Sequence, residues 1–345
     1  MGRAERSHVR KRRRGCLGGC LTRILLLFGL CAVLFVGACV LGLVKNDPVT
    51  GAPSLTLENI SFSGLDASQL LQRLPDGLPD LPGLAQAVQG EELPAWAYGV
   101  SPEGLTVKAL RAGDGEAIFL CADGYTMLLG GGSGMGVSLT AQLLLCGAGH
   151  LNAMAALESD ASSIGGLPLA MTLIRPEYLL YPDSQTKGRA FNRMIDTARK
   201  SERTKLIVPQ QGLSFMLGRA RVTVIGPARR AHKDERNDGL SVRIDYGDTS
   251  VLVMGGITAD GERELITSRA PLDADALICA QGGSGEATCQ ELVQAVSPSI
   301  ALMTGKDPAN AVRVRLTRAG AQVYAMQEHG VMTLVSDGQT IQIHP

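Results

Sequence analysis

Aromatic side chains make up only 4% of this 345-residue chain, with a single tryptophan. Surfaces that bind single-stranded nucleic acid stack bases on interleaved aromatics, and no stretch here is built that way. Histidine is almost as scarce. His8, His150, His232, His329 and His344 form no HxH or HxxxH pair, which removes the usual imidazole signature of a zinc site. Cysteine does not replace it. Cys121, Cys146, Cys279 and Cys289 are scattered with no CxxC spacing, and Cys16, Cys20, Cys31 and Cys39 belong to an apolar segment and its flank. For the scattered four, two disulfides in any of three pairings and buried thiols stay equally open.

Charge is missing as well, over residues 24–44. The run from 21 to 44 is apolar but for Thr22 and Arg23, and a bilayer core takes roughly 20 such residues. Residues 1–23 carry eight Lys/Arg against one Glu, a net of +7, leaving −7 for the remainder of a formally neutral chain. The positive-inside rule then makes 1–23 a basic cytoplasmic tail, 24–44 a transmembrane helix, and the rest an extracellular part. The chain is expected at the cell membrane, as a single-pass protein. A cleaved signal peptide is one alternative, but the apolar run is long for it. Val36-Gly37-Ala38-Cys39 loosely resembles a lipoprotein lipobox, yet Val40-Leu41-Gly42-Leu43 beyond it stays apolar.

What the chain has in quantity is glycine, 42 residues, within an apolar content of 45%. Residues 45–103 read as a Pro/Leu-rich stalk, because Pro48, Pro53, Pro75, Pro79, Pro82 and Pro94 forbid long helices. One short helix is expected at 67–74, with Asp66 as its N-cap. From 105 the pattern turns to short β runs separated by glycine turns. Strands are expected at 105–110, 117–121 and 125–129, the last two joined by Asp123-Gly124. A helix at 139–146 capped by Ser138 and another at 189–200 come next. Strands at 205–208, 221–225, 241–246 and 250–254 follow, with Gly247-Asp248 turning between the last two. The end of the chain alternates: strand 276–279, helix 289–296, strand 300–303, helix 311–319, strands 323–326 and 331–335.

Several motifs occur in a fixed order. Arg111-Ala112-Gly113-Asp114-Gly115-Glu116 follows the first strand, and Leu128-Leu129-Gly130-Gly131-Gly132 ends the hairpin. Leu157-Glu158-Ser159-Asp160-Ala161-Ser162-Ser163-Ile164-Gly165-Gly166-Leu167 is the central stretch. Asn237-Asp238-Gly239, Val253-Met254-Gly255-Gly256, Gln281-Gly282-Gly283-Ser284 and Ser336-Asp337-Gly338 come after it. This order resembles the metallo-β-lactamase superfamily, most closely the hydrolase-like domain of ComEC-type competence proteins, over 104–345. The resemblance implies an α/β (α+β) fold, a four-layer αββα sandwich of two related halves. It also implies what has been lost. Family members carry Asp-Val-Gly-Gln-Gly-Asp at the first turn, where Arg111 replaces the leading aspartate, and a hairpin aspartate where Gly130 stands. In the central stretch, Glu158, Ser162 and Ser163 stand at two histidines and an aspartate, and Asp160 is retained. Gly256 falls at the metal-bridging aspartate, and Gln281 and Gly282 at a pair of histidines. Serine is a poor zinc ligand beside imidazole or carboxylate, and glycine is none. No metal and no other cofactor is therefore expected.

The resemblance also implies a cleft where these loops converge, enlarged by the glycine and serine replacements. His150 could rebuild a partial site with Glu158 and Asp160, but a histidine at a helix C-terminus already has a dipole to interact with. Asp160 reads as a loop cap before it reads as a remaining ligand. The glycine loops at 130–136 and 282–285 could cradle an anion, although neither has the Lys of a P-loop or a dinucleotide fingerprint. Residues 187–236 hold thirteen Lys/Arg against four Asp/Glu. That stretch is either a patch for an anionic polymer such as DNA or solvated faces paired with acidic neighbours. The reading is a membrane-anchored binding or scaffold module, leaning away from enzyme. The competing classes are a hydrolase with a remodelled metal site and a ComEC-like protein of DNA uptake.

Overall fold

The computed structural model describes residues 103–344, apart from 114, 116 and 185–187, together with two short strands upstream. Those strands, Val44–Asn46 (β1) and Pro53–Leu55 (β2), pair antiparallel as a ribbon of their own. Val44, expected as the last residue of the membrane span, is thus the first of β1. The basic tail, residues 24–43 of the span, the 67–74 helix and most of the stalk lie outside the described residues, as do Asp114 and Glu116. Among the described residues no helix is long and apolar enough to cross a membrane.

From Leu105 the elements run β3 (Leu105–Ala109), β4 (Ile118–Ala122), β5 (Tyr125–Leu129), α1 (Val137–Leu145) and β6 (Ala153–Ala155). Then come α2 (Ala161–Ile164), α3 (Leu167–Ile174), β7 (Tyr178–Leu180), α4 (Arg189–Lys200) and β8 (Lys205–Ile207). The second half has β9 (Ser214–Leu217), β10 (Ala220–Gly226), β11 (Ser241–Tyr246), β12 (Thr249–Val253), α5 (Ala259–Thr267) and β13 (Ala276–Ile278). It continues with α6 (Gln290–Val296), β14 (Ile300–Met303), α7 (Asn310–Arg318), β15 (Gln322–Ala325) and α8 (Met326–His329). The chain closes with β16 (Met332–Ser336) and β17 (Ile341–His344).

Among the described residues these strands form two large sheets, β17-β16-β3-β4-β5-β6-β7-β8 and β15-β14-β13-β12-β11-β10-β9. The two halves share a plan. β3, β4 and β5 pair antiparallel, and β5 to β8 then run parallel through helical crossovers. β10, β11 and β12 repeat the antiparallel part, and β12 to β15 the parallel part. β16 crosses back to pair with β3 in the first sheet.

Burial decides the layering. In β4, Ile118, Leu120 and Ala122 face the core between the sheets, while Phe119 and Cys121 face α1, α3 and α4 on the outer side. In the second sheet, Val251, Val253, Ala276 and Ile278 point into the same inner core, and Leu252 and Leu277 point out to α5, α6 and α7. Strands covered on both faces read as continuous apolar runs rather than alternating ones, as Ile118 to Ala122 does. The result is helices, sheet, sheet, helices. Cys121, Cys146, Cys279 and Cys289 are buried thiols in the two outer clusters, none of them in a disulfide; they pack as small apolar groups.

Local differences from the sequence expectations have local causes. The N-cap of α1 is Gly136, at φ 79°, and Ser138 lies inside the helix. α3 was not expected: all its outward positions are uncharged, which hides its helical period, and Pro168 occupies its first turn. Gly261 in the first turn of α5, a poor helix former, conceals that helix.

Candidate functional site

In α/β sheets, ligands bind beyond the carboxyl ends of the parallel strands. Here the loops leaving β5, β6, β12 and β13 meet at that end, where Leu240 N donates to Leu157 O at 2.7 Å across the two halves. The central stretch enters α2 through Asp160, which is the helix N-cap. Its Oδ1 accepts from Ser162 N at 2.7 Å and from Ser162 Oγ, and its Oδ2 accepts from Ser163 Oγ at 3.4 Å. Burial works against ionisation of Asp160, yet hydrogen bonds with Glu158 and with the two serines outweigh it and hold the carboxyl below its ordinary value.

Glu158 reaches from β6 toward the other half. A Cβ built on Gly256 would lie 2.0 Å from Glu158 Cδ and 2.3 Å from both carboxylate oxygens. The Glu158 carboxylate therefore occupies the space that any side chain at 256 would need. Gln281, at φ 49°, closes the same spot from β13: its Nε2 donates to Gly256 O at 3.0 Å and Ile257 O at 3.2 Å, and its Oε1 accepts from Ser284 Oγ at 3.0 Å. Glu158, Asp160, Gly256 and Gln281 are thus brought together.

The remaining predicted positions serve close packing. Gly130 N donates to Ala155 O at 2.8 Å and Gly131 N to Ser163 O at 2.7 Å. Gly132 sits at φ 60°, and a Cβ there would be 2.0 Å from Ala112 O. Gly282, at φ 63°, turns toward Gly305, whose N would be 2.4 Å from an added Cβ. The expected enlarged hollow is not what adjoins these glycines. Backbone and the Glu158 carboxylate do.

A zinc ion takes about four strong donors. The positions marked by the sequence resemblance offer two carboxylates, one of them committed to a helix cap, together with hydroxyls that donate to it and an amide whose oxygen is already engaged. This set does not fit the superfamily's metal pair. Nor does His150 complete it, because its Nε2 pairs with Glu177 Oε1 at 2.8 Å on the exposed side of β7. Among the described residues no group of three His, Cys, Asp or Glu side chains is placed to hold a metal ion.

Two polar clusters escaped the sequence. His232 is buried with Nδ1 2.7 Å from Asp238 Oδ1 and Nε2 2.7 Å from Glu264 Oε2, while Arg229 forks onto Glu264. No spacing rule relates 232, 238 and 264, and only the Asn237-Asp238-Gly239 motif marked the neighbourhood. At the opposite end, Asp123 in the β4–β5 turn accepts from Arg219 Nη2 at 2.7 Å and from Tyr246 Oη at 2.8 Å. These bonds tie the two sheets together. The Arg219 side chain, chiefly, holds the Asp123 carboxyl far below the carboxylate range despite burial. Beside this staple runs an open groove of about 700 Å³ lined by Glu103, Tyr125, Met216 and Gly218.

Eight of the thirteen cations in 187–236 fall into two contrasting groups. Arg219, Arg229, Arg230 and Arg236 each pair with a carboxylate. Arg189, Arg193, Arg199 and Lys200 on α4 have no carboxylate partner among the described residues.

No family profile matches the sequence, and no curated protein matches it. Among solved structures, the chain is similar to the metallo-beta-lactamase fold protein YhfI from Bacillus subtilis, at 15% identity and a TM-score of 0.46. That alignment covers 66% of this chain and 99% of the other. It is also similar to a metallo hydrolase from the hyperthermophilic archaeon Ignicoccus hospitalis, at 14% identity and a TM-score of 0.45, covering 66% and 98% of the two chains.

Proposed function

We propose that this chain is a membrane-anchored, non-catalytic module of metallo-β-lactamase-like fold that binds or scaffolds a partner at the cell envelope. The observation that carries the non-catalytic part is the Glu158 carboxylate lying where a side chain at 256 would stand. Position 256 corresponds, through the resemblance, to the aspartate that bridges two metals. A glycine there supplies no side-chain ligand, and the Glu158 carboxylate in its place, with Asp160 committed to a helix cap, falls short of the roughly four donors that a zinc ion takes. The ordered glycine motifs and the four-layer, two-half architecture support the fold assignment, and the uncharged 24–44 run behind a basic tail supports the anchor.

The test is the metal itself. Purified full chain should contain no stoichiometric zinc or manganese, and chelator should leave its melting temperature unchanged. In an active relative the ions would cross-link both halves, so binding would stabilise the fold by mass action. A drop of several degrees on chelation, restored by Zn²⁺ or Mn²⁺, would favour the remodelled hydrolase instead.

A further inference from the structure

Helices α1, α3 and α4 cover the outer face of the eight-stranded sheet, α1 packing on α3 and α3 on α4. Their outward faces therefore lie side by side. Most helices in this position turn charged residues to water. α1 and α3 have none to turn: neither contains an ionisable side chain, and from 131 to 174 there is no Lys or Arg. Val137, Leu144 and Leu145 on α1 are 64%, 54% and 49% exposed, Leu173 on α3 is 60%, and Met135 on the preceding loop is 79%. Next to this ledge, α4 presents Arg189, Arg193, Arg199 and Lys200 outward around a single exposed acid, Asp196, with no ion pair to any of the four among the described residues.

We propose that this face lies on an anionic lipid surface, with the α1–α3 ledge immersed among the headgroups and the α4 cations on their phosphates. An exposed apolar patch bordered by unpaired cations matches both halves of that surface, its apolar boundary and its negative charge. Nucleic acid would satisfy the cations only. It would leave Val137, Leu144 and Leu173 against phosphate, and no exposed aromatic is there to stack a base. A second copy would satisfy the ledge only, since a two-fold contact sets like patches beside each other and brings the α4 cations together. The inference is independent of the 24–44 anchor, which would merely hold the face near such a surface.

The experiment uses the full chain carrying Trp96→Phe and Leu144→Trp, an exposed position that a larger side chain does not disturb. It is mixed with phosphatidylcholine vesicles, with or without phosphatidylglycerol, that contain brominated lipid. Bromolipid should quench the introduced indole in the phosphatidylglycerol vesicles, and added salt should relieve the quenching. Each cation near an anionic surface favours contact about fivefold, so Arg189→Gln with Arg193→Gln should lower the bound-to-free ratio about 25-fold. Val137→Trp should repeat the pattern. The proposal is overturned by an unquenched indole or by equal quenching without phosphatidylglycerol. Shielding of the indole in vesicle-free dimers, or by duplex DNA in preference to vesicles, overturns it as well. Flotation with phosphatidylcholine alone reads the anchor separately, so neither failure is mistaken for the other.

Discussion

Gly256 and Glu158 form a pair in which one residue's missing side chain makes room for the other's carboxylate. Gly256 is not at a left-handed φ, so alanine suits its backbone; what alanine meets is the mobile end of Glu158. Gly256→Ala should displace that carboxylate and loosen its contact with Asp160. In a Glu158→Ala background the same change should cost nothing. A double-mutant cycle in denaturant should therefore show a coupling of about 1 kcal/mol, and additive effects would show that the two residues do not share the space. Asp123 makes a different prediction, on pH. Its folded carboxyl is depressed, so its stabilisation is complete above the ordinary value of about 3.9 and is lost as pH falls below that value. Asp123→Asn tolerates the same positive φ, and should melt below wild type at pH 7; the gap should begin to narrow below about pH 3.9 and still be largely present near pH 3, because the folded carboxyl stays ionised there. A gap as wide at about pH 2 as at pH 7 would assign the loss to packing.

At the scale of elements, the glycine loops are joints rather than linings. Gly132 and Gly134 separate the two meanings of a loop glycine. Both have positive φ, 60° and 84°, but a Cβ on Gly132 would strike Ala112 O at 2.0 Å while one on Gly134 meets nothing within 4 Å. Alanine at 134 should cost only the left-handed strain, about 1–2 kcal/mol. Alanine at 132 should add the price of overpacking, roughly 1–3 kcal/mol more. Equal losses in chemical denaturation would mean that the 130–136 loop yields freely. Helix ends follow the same logic of borrowed partners. α6 has no side-chain cap of its own, and the buried Glu262 of α5 accepts from Thr288 N and Cys289 N at its start.

The whole molecule raises the question of sidedness. With the basic 10–14 cluster inside, protease added to intact cells should digest residues beyond Lys45 and spare the N-terminal tail. Protection of the large domain would remove the envelope assignment together with the scaffold role proposed there.

At this same scale the division between sequence and structure is plain. The strands at 125–129, 241–246 and 300–303 and the helix at 189–200 could be read directly, because local periodicity and turn residues such as Asp123-Gly124 and Gly247-Asp248 are carried by neighbours in the chain. The glycine and serine motifs at 130–132, 157–167 and 281–284 were legible for the same reason, since each is a contiguous run. Tertiary structure alone decided what became of the space. Glu158 meets Gly256 across 98 positions, and His232 lies between Asp238 and Glu264, contacts set by how two sheets face each other rather than by any local pattern. The same holds for the basic stretch. Folding supplies carboxylates to Arg219, Arg229, Arg230 and Arg236, while the four cations of α4 lie beside α1 and α3, which contain no acid, and have only Asp196 of their own helix near them.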